Sequence, residues 1–482
     1  MTQTTERGPD QAASHALRLI GADPENWVPE RAGIDHDVAI VGGGQSGRAF
    51  AFALRRAGIA RITVIDGAAD EGKAGIWRTA ARMHKLRTPK SLPGPELGIP
   101  ALSFQAWYEA KHGQAAYAEI DRIRRVDWAE YLDWYRRVVG VPIRFRTQLA
   151  HIEPAGDHFR LHLEIEGIAK VETARKIILA NGFLGGGGAF IPRIISDKIS
   201  PSLYAHTAHR IDFGALRGRQ IAVIGAAAAA FDAAGMALEA GAKSVDLFVR
   251  RASIPAEPVI RVRGYPGAYD NYFELPDAVR WQQAFRFRSV GSTPPSDAIE
   301  RAIKHPNFHL HLGAPWTAAR IEDGRIAAEA GGRNYRFDFA IAGTGYFVDA
   351  AARPELADFA SEILSWGHRF VPPGDQVDAE LAAHPYLGAG HEYLERTPGS
   401  GPYLRNIHVF NPAAFVSFGL PIGDVPSFKR DIPSVVRRIS RDLFFADFDH
   451  HARRINGDIA PDFGPELYVS AVAKRPAGIA AE

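Results

Sequence analysis

Residues 37–66 read DVAIVGGGQSGRAFAFALRRAGIARITVID. The stretch opens with a short apolar run at residues 38–41 that ends in glycines, and it closes with a second apolar run at residues 62–65. Two such runs on either side of a helix-favouring segment are typical of two buried parallel strands joined by a helix. The stretch therefore predicts the βαβ unit of a Rossmann-like α/β fold.

The glycines between the first strand and the helix fit the pattern G-x-G-x-x-G. Gly42 permits the tight turn, Gly44 has no Cβ and lets a pyrophosphate reach the backbone, and Gly47 lets the helix pack closely on the strand. Gln45 and Ser46 lie between the second and third glycines, before a helix-favouring run at residues 49–54. The free N–H groups at the N-terminus of that helix favour phosphate. The turn therefore predicts a dinucleotide site that includes these five residues.

Asp66 ends the second strand, 24 residues after Gly42 (66 − 42). In dinucleotide-binding folds an acidic side chain at about this distance accepts hydrogen bonds from a ribose. We therefore expect Asp66 to bind the same cofactor.

The composition is ordinary for a globular protein of two or three domains. The chain has 482 residues, is 46% hydrophobic and carries a net charge of +2. The absence of a long basic block argues against nucleic acid or a membrane surface as a partner. No apolar run is long enough for a bilayer, and the N-terminus has no signal-peptide core, so we expect a cytoplasmic protein.

The chain has no cysteine. Many proteins with two dinucleotide folds are disulfide reductases, and these need a redox-active cysteine pair. That chemistry is excluded, as is an iron–sulfur cluster on thiolates. The His and Cys spacing of a zinc site is also missing, so no metal site is predicted.

The βαβ pattern returns near residue 220. Residues 220–224 predict a strand, and a degraded glycine turn follows with Gly225, Ala227 and Ala230. A repeat of this unit predicts a second nucleotide. The methyl of Ala227 stands where backbone should meet phosphate, so a Rossmann-like domain that binds nothing is the alternative.

Two arginines follow the second strand of the repeat, where the first unit has its acid. Arg250 and Arg251 could clamp a 2′-phosphate, which predicts NADPH over NADH. The alternative is a solvated pair. Residues 254–315 are rich in proline and aromatic side chains, and we interpret them as a lobe over the nicotinamide end.

Further motifs carry a family resemblance. Residues 74–77, Ala-Gly-Ile-Trp, resemble a Gly-Gly-x-Trp motif, and residues 343–346, Gly-Thr-Gly-Tyr, resemble an Ala-Thr-Gly-Tyr motif. Together with the glycine turns, they make the chain similar to the NADPH-dependent class B flavoprotein monooxygenases. That family comprises flavin-containing, N-hydroxylating and Baeyer–Villiger enzymes.

The resemblance implies an arrangement of domains. The fold class is α/β, with two dinucleotide-binding Rossmann-like domains, the NADPH domain being inserted into the FAD domain. We expect an N-terminal extension at 1–35, the first part of the FAD domain at 36–215 and the NADPH domain at 216–335. The second part of the FAD domain and a C-terminal helix would occupy 336–482.

The resemblance also implies site residues. Residues 86–90 resemble the segment that passes the flavin ring, which makes Arg87, Thr88 and Lys90 candidates there. Trp77 either shields the cofactor or belongs to the core, and Gly345 lies in the link back to the FAD domain. His206 stands at the family's fingerprint position and has either a linker role or a direct role. Asn411 and Leu420 are candidates on the closing side of the flavin site.

The implied cofactors are FAD and NADPH, and the implied partners are O2 and a small organic substrate, with a homo-oligomer possible. In this family NADPH reduces the flavin, which then forms a C4a-(hydro)peroxyflavin and inserts one oxygen atom. The oxidation could fall on nitrogen, sulfur, a ring carbon or a ketone. Two alternatives stay open: an NADPH oxidase or diaphorase without oxygen transfer, and a non-catalytic sensor of flavin or NADP.

Overall fold

The computed structural model describes residues 8–92 and 94–473. Residues 1–7 of the expected N-terminal extension, Pro93 and residues 474–482 lie outside the described residues. The strands are β1 (His36–Val41), β2 (Ile62–Ile65), β3 (Thr147–Ala155), β4 (His158–Ile165), β5 (Ile168–Leu179), β6 (Gly187–Ala189), β7 (Tyr204–His206), β8 (Gln220–Ile224), β9 (Ser244–Phe248), β10 (Phe308–His311), β11 (Trp316–Glu322), β12 (Arg325–Ala330), β13 (Arg333–Phe337), β14 (Phe339–Ala342), β15 (Tyr346–Val348) and β16 (Ile407–Val409).

The helices are α1 (Pro9–Leu19), α2 (Gln45–Arg56), α3 (Phe104–His112), α4 (Gln114–Glu119), α5 (Arg125–Val139), α6 (Arg193–Ser196), α7 (Ala228–Glu239), α8 (Pro266–Asn271), α9 (Asp277–Val290), α10 (Ser296–Ile303), α11 (Trp366–Arg369), α12 (Ala379–Ala382), α13 (Phe415–Phe418), α14 (Val425–Ala446) and α15 (Phe448–Ile455).

The first sheet is built around the predicted βαβ unit. Strand β1 pairs in parallel with β2 on one side and with the end of β5 on the other, and β16 pairs in parallel with β5. The start of β5 continues into an antiparallel meander with β4 and β3. Residues 37–40 of β1 are buried, as a strand covered on both faces requires.

The second sheet is entirely parallel, in the order β10-β9-β8-β14-β7. Helices α7 and α10 cover the face that carries Ile221 and Val223. The antiparallel meander β11-β12-β13 covers the face that carries Ala222. Because β7 and β14 belong to this sheet, it extends past the expected interval 216–335 on both sides.

The chain passes between the two sheets along a short ribbon. Strands β6 and β15 pair antiparallel, with Gly187 opposite Val348. A Cβ on Gly187 would lie 2.3 Å from the carbonyl oxygen of Phe347, so the two crossings touch backbone to backbone. The connection between the two sheets is therefore closely packed.

We expect Gly47→Ala to destabilise the fold. A Cβ there would lie 1.9 Å from the carbonyl oxygen of Gly42, so helix α2 must move away from β1. Such overpacking costs about 3 kcal/mol in a rigid core, and urea unfolding of the flavin-free protein would measure it. The control is Gly374→Ala, where a Cβ meets nothing within 4 Å; an equal loss in both variants would contradict the close approach.

Candidate functional site

One cavity of about 1550 Å³ receives the carboxyl ends of both parallel sheets. Its lining includes residues at the ends of β1, β2 and β5 in the first sheet, and of β8, β9 and β14 in the second. Ligands of open α/β sheets bind at these ends, where the strand order reverses. The volume exceeds the roughly 300–1,000 Å³ of a single-ligand pocket, so the cavity can hold more than one ligand.

The first glycine turn has the geometry of a phosphate cradle. Gly42 has φ +110°, and a Cβ there would lie 2.3 Å from the carbonyl oxygen of Ala180. Gly44 precedes α2 and lines the cavity. The nearest atom to a Cβ built on it is the Cα of Gly75, at 3.8 Å. The structure therefore leaves open space over Gly44, in front of the N-terminus of α2.

Asp66 lines the cavity and also braces the glycine turn. Its Oδ2 accepts the N–H of Gly43 at 2.7 Å, and its Oδ1 accepts the N–H of Ala68 at 2.8 Å. These contacts hold the carboxylate beside the turn. Ribose binding by Asp66 stays a prediction, and the backbone contacts are an addition that the spacing did not predict.

Gln45 joins three separate segments beside the first turn. Its Oε1 accepts the indole N–H of Trp77 at 3.0 Å and that of Trp128 at 3.1 Å, and its Nε2 donates to the carbonyl of Gly423 at 2.7 Å. Trp77 is half-buried, lines the cavity and packs edge-on against Trp128. Trp77 packs against the core, and its role as a shield of the cofactor stays a prediction. Ser46 also lines the cavity.

The segment at 86–90 contributes two of its three candidates. Arg87 and Thr88 line the cavity, and the guanidinium of Arg87 donates to Oδ2 of Asp232 at 2.9 Å across to α7. Lys90 does not belong to the cavity lining. Its ammonium donates to the carbonyl of Tyr117 at 2.7 Å and lies over that ring, so the expectation for Lys90 is corrected.

The degraded second turn folds like the first. Gly225 has φ +149°, and a Cβ there would lie 2.3 Å from the carbonyl oxygen of Gly343. A Cβ built on Gly343 would lie only 2.7 Å from the methyl of Ala230. The methyl therefore fits because residue 343 is a glycine. Ala230 faces the interior, whereas Gly225 and Ala227 line the cavity.

The two arginines after β9 have different surroundings. Arg250 is exposed at the cavity and makes no hydrogen bond or ion pair with any residue that the structure describes. Arg251 lines the cavity too, but its guanidinium donates to the carbonyls of Val290 and Arg288 at the end of α9. Of these two arginines, Arg250 is therefore the one that is free to bind a ligand phosphate with its whole guanidinium.

His206 ends β7 and lines the cavity, as does Gly345. The Nδ1 of His206 accepts the N–H of Ala208 at 3.0 Å, which puts the ring proton on Nε2. Burial lowers the pKa of His206 to about 4, so the ring is neutral near pH 7. The hydrogen bond within its own turn favours the linker interpretation.

Asn411 and Leu420 do not line the cavity. Asn411 is buried, donates to Oδ1 of Asn181 at 3.0 Å and accepts the N–H of Ala413 at 2.9 Å. Leu420 is a core residue with 4% exposure. The expectation that Asn411 and Leu420 line the site is therefore corrected. The adjacent turn at residues 421–424 lines the cavity instead.

Sequence reasoning missed several charged residues of the cavity lining, including Arg48 and Asp424. Arg48, in α2, is 3% exposed and donates to the carbonyl of Gly43 at 3.1 Å, with Asp133 as its ion partner at 3.2 Å. Asp424 immediately precedes α14. Burial raises the pKa of Asp424 to about 6, and Arg87 opposes this shift. The G-x-G-x-x-G-R order could have indicated Arg48, while no local signal marks Asp424.

We expect Asp424→Asn to stabilise the flavin-free protein above pH 6. The raised pKa means that ionisation of Asp424 disfavours the folded state, so its cost grows between pH 4 and 6 and persists above. The shift corresponds to at most about 3 kcal/mol, and partial solvent access reduces this to about 1–2 kcal/mol. Urea unfolding at pH 8 and pH 5 measures the gain, which should be about half as large at pH 5. An equal gain at both values would contradict the assignment.

Within the part of the chain that the structure describes, no helix is long and apolar enough to cross a bilayer. In the same residues, no group of three His, Cys, Asp or Glu side chains could hold a metal ion.

The comparisons with known proteins agree with this geometry. Residues 39–266 match the family model described as pyridine nucleotide-disulphide oxidoreductase. The FAD-dependent urate hydroxylase of Xanthomonas campestris pv. campestris is 38% identical over 444 residues, which span 91% of this chain and 93% of that protein. Since this chain has no cysteine, the family model indicates a shared fold rather than disulfide chemistry.

Solved structures share the fold at low identity. The ornithine hydroxylase of Pseudomonas aeruginosa superposes with a TM-score of 0.65 at 17% identity, covering 85% of this chain and 99% of that one. The flavin-containing monooxygenase of Stenotrophomonas maltophilia gives 0.52 at 16% identity, over 84% and 98% of the two chains.

Proposed function

The chain belongs to the class B flavoprotein monooxygenases, enzymes that use FAD, NADPH and O2, and we propose that it hydroxylates a planar nitrogen heterocycle of the urate type. One observation carries the proposal: the glycine turns of both parallel sheets open into a single cavity. The curated relative that is 38% identical over nearly the whole chain is a urate hydroxylase, which supports this substrate class over the amines of the more distant structural neighbours.

The first turn fits FAD. The space above Gly44 and the N–H groups at the start of α2 suit a pyrophosphate, and Asp66 suits the adjoining ribose. Bound FAD supplies the redox chemistry, because it accepts a hydride from NADPH and activates O2. Trp77 covers part of this region, and a dry site protects such chemistry from water.

The second turn fits NADPH. Gly225 and Ala227 present the backbone at the start of α7, and Arg250 provides a free guanidinium for the 2′-phosphate. Arg87 and Asp232 form an ion pair between the flavin-side segment and α7. We propose that this pair fixes the distance between the two nucleotides, and that the enzyme works in the cytoplasm, where NADPH is supplied.

The test is a substrate panel. The purified, FAD-loaded protein is incubated with NADPH and O2 together with urate, ornithine or lysine, and substrate loss is compared with NADPH loss. We expect urate to be consumed in about equal amount to NADPH, while the amines leave NADPH oxidation uncoupled. Coupled oxidation of an amine but not of urate would contradict the proposed substrate class. NADPH oxidation uncoupled from every substrate would favour an oxidase.

A further inference from the structure

One wall of the cavity belongs to neither glycine turn. It is formed where the end of α9, helix α12 and helix α13 meet, and we call it the aromatic wall (Phe287, Leu381, His384 and Phe415). The rings of Phe287 and Phe415 lie 5.2 Å apart between centroids, with an interplanar angle of 52°. Leu381 and Phe415 belong to the same buried cluster. The wall therefore offers apolar, largely preformed contacts to a flat ligand.

His384 is the polar group of this wall, and its tautomer is fixed. Its Nδ1 lies 3.0 Å from the carbonyl oxygen of Glu380. Because a carbonyl can only accept, Nδ1 carries the proton and Nε2 is left as an acceptor. The side chain is 9% exposed, and Nε2 has no hydrogen-bond partner among the described residues. Burial lowers the pKa of His384 to about 4, so the ring stays neutral near pH 7.

The surroundings hold His384 in place. Asp378 caps α12 by accepting the N–H groups of Glu380 and Leu381, at 2.9 and 3.0 Å. Arg288 pairs with Asp378 at 2.5 Å and with Glu380 at 2.6 Å. Both carboxylates beside the wall are therefore occupied. An ammonium group of a substrate would find neither Asp378 nor Glu380 unpaired, because both carboxylates bind Arg288. This disfavours diamine-type substrates at the aromatic wall.

We propose that the aromatic wall is the substrate-binding surface and that Nε2 of His384 accepts an N–H of the bound heterocycle. This inference rests on the proposed function, since it names the residues that recognise a urate-type ring. Phe287 and Phe415 contact the ring, and His384 selects a ligand with an N–H at its edge. An acceptor that faces a cavity and is left unpaired by a ligand without a donor discriminates against such analogues.

The test compares two substitutions of the same side chain. His384→Asn keeps a donor for the Glu380 carbonyl at the place of Nδ1 but removes the acceptor at Nε2. His384→Gln places an amide oxygen near the position of Nε2. Urate is titrated into the oxidised, FAD-loaded enzyme, and the flavin spectrum or calorimetry gives Kd without turnover. We expect Kd to rise about 10-fold or more in His384→Asn and to stay within about 3-fold in His384→Gln. FAD content and the Kd of NADPH should not change in either variant.

A second arm uses the wild-type enzyme alone. Tetramethylated urate, which has no N–H, should bind about 10-fold or more weakly than urate. Equal binding of the two ligands, or an unchanged urate Kd in His384→Asn, would overturn the role of His384. Urate that binds through His384 but is not oxidised would contradict the proposed function while supporting this inference. If the wild-type and His384→Asn enzymes both oxidise urate and bind it with equal Kd, the result would support the proposed function and contradict the role of His384.

Discussion

Replacing Gly44 with alanine is expected to remove FAD while the protein stays folded. Its backbone angles of φ −69° and ψ −166° are open to alanine, and the nearest atom to the added Cβ lies 3.8 Å away. The same Cβ would occupy the approach to the N-terminus of α2, where a pyrophosphate must touch the backbone. One methyl in a tight contact costs about 1–3 kcal/mol, so the Kd of FAD should rise up to about 100-fold.

Flavin content after purification and fluorescence titration of the flavin-free protein measure this effect. The free energy of unfolding without flavin should change by less than about 0.5 kcal/mol, in contrast to Gly47→Ala. A Gly44→Ala protein that keeps stoichiometric FAD at unchanged Kd would show that the cofactor does not lie over this turn.

The second large effect is expected from Arg250→Ala. Arg250 is exposed at the cavity without an ion partner in the described chain, so its guanidinium is available to a 2′-phosphate. Hydrogen bonds to charged groups contribute about 1.5–3 kcal/mol. The kcat/KM for NADPH in anaerobic flavin reduction should therefore fall about 10- to 100-fold, while that for NADH should change little.

Arg251→Ala is the matched control. Its guanidinium holds the carbonyls of Val290 and Arg288 at the end of α9, so its loss should affect NADPH and NADH equally. Arg250→Lys should retain part of the preference because it keeps the charge. An equal loss for both nucleotides in Arg250→Ala would exclude it as the 2′-phosphate group.

Both glycine turns could be predicted because their signals are local. The strand, the turn residues and the helix of each unit are contiguous, and Gly42 and Gly225 both take the positive φ that a tight turn needs. In the second turn, the methyl of Ala230 is accommodated because Gly343, which follows β14, stands opposite it. That accommodation is visible only in the folded protein. The binding-incompetent alternative rested on Ala227, which lines the cavity, and titration with NADPH tests it.

Side chains placed by long-range contacts could not be predicted. Lys90 follows the flavin-side motif, yet Tyr117 captures its ammonium through a carbonyl and a ring face. Asn411 sits next to lining residues, but its side chain is buried and donates to Asn181. His384 follows α12 without a motif of its own, and ion pairs from Arg288 of the distant α9 to Asp378 and Glu380 are not visible in the sequence.

The most direct test of oxygen transfer within one cavity uses isotopically labelled O2. The FAD-loaded enzyme is reduced with one equivalent of NADPH without oxygen, and labelled O2 and urate are then added. We expect NADPH to reduce the flavin, and the product to carry one labelled oxygen atom per NADPH, as found by mass spectrometry. A flavin that NADPH does not reduce, or a full yield of hydrogen peroxide with no label in the organic product, would contradict the account.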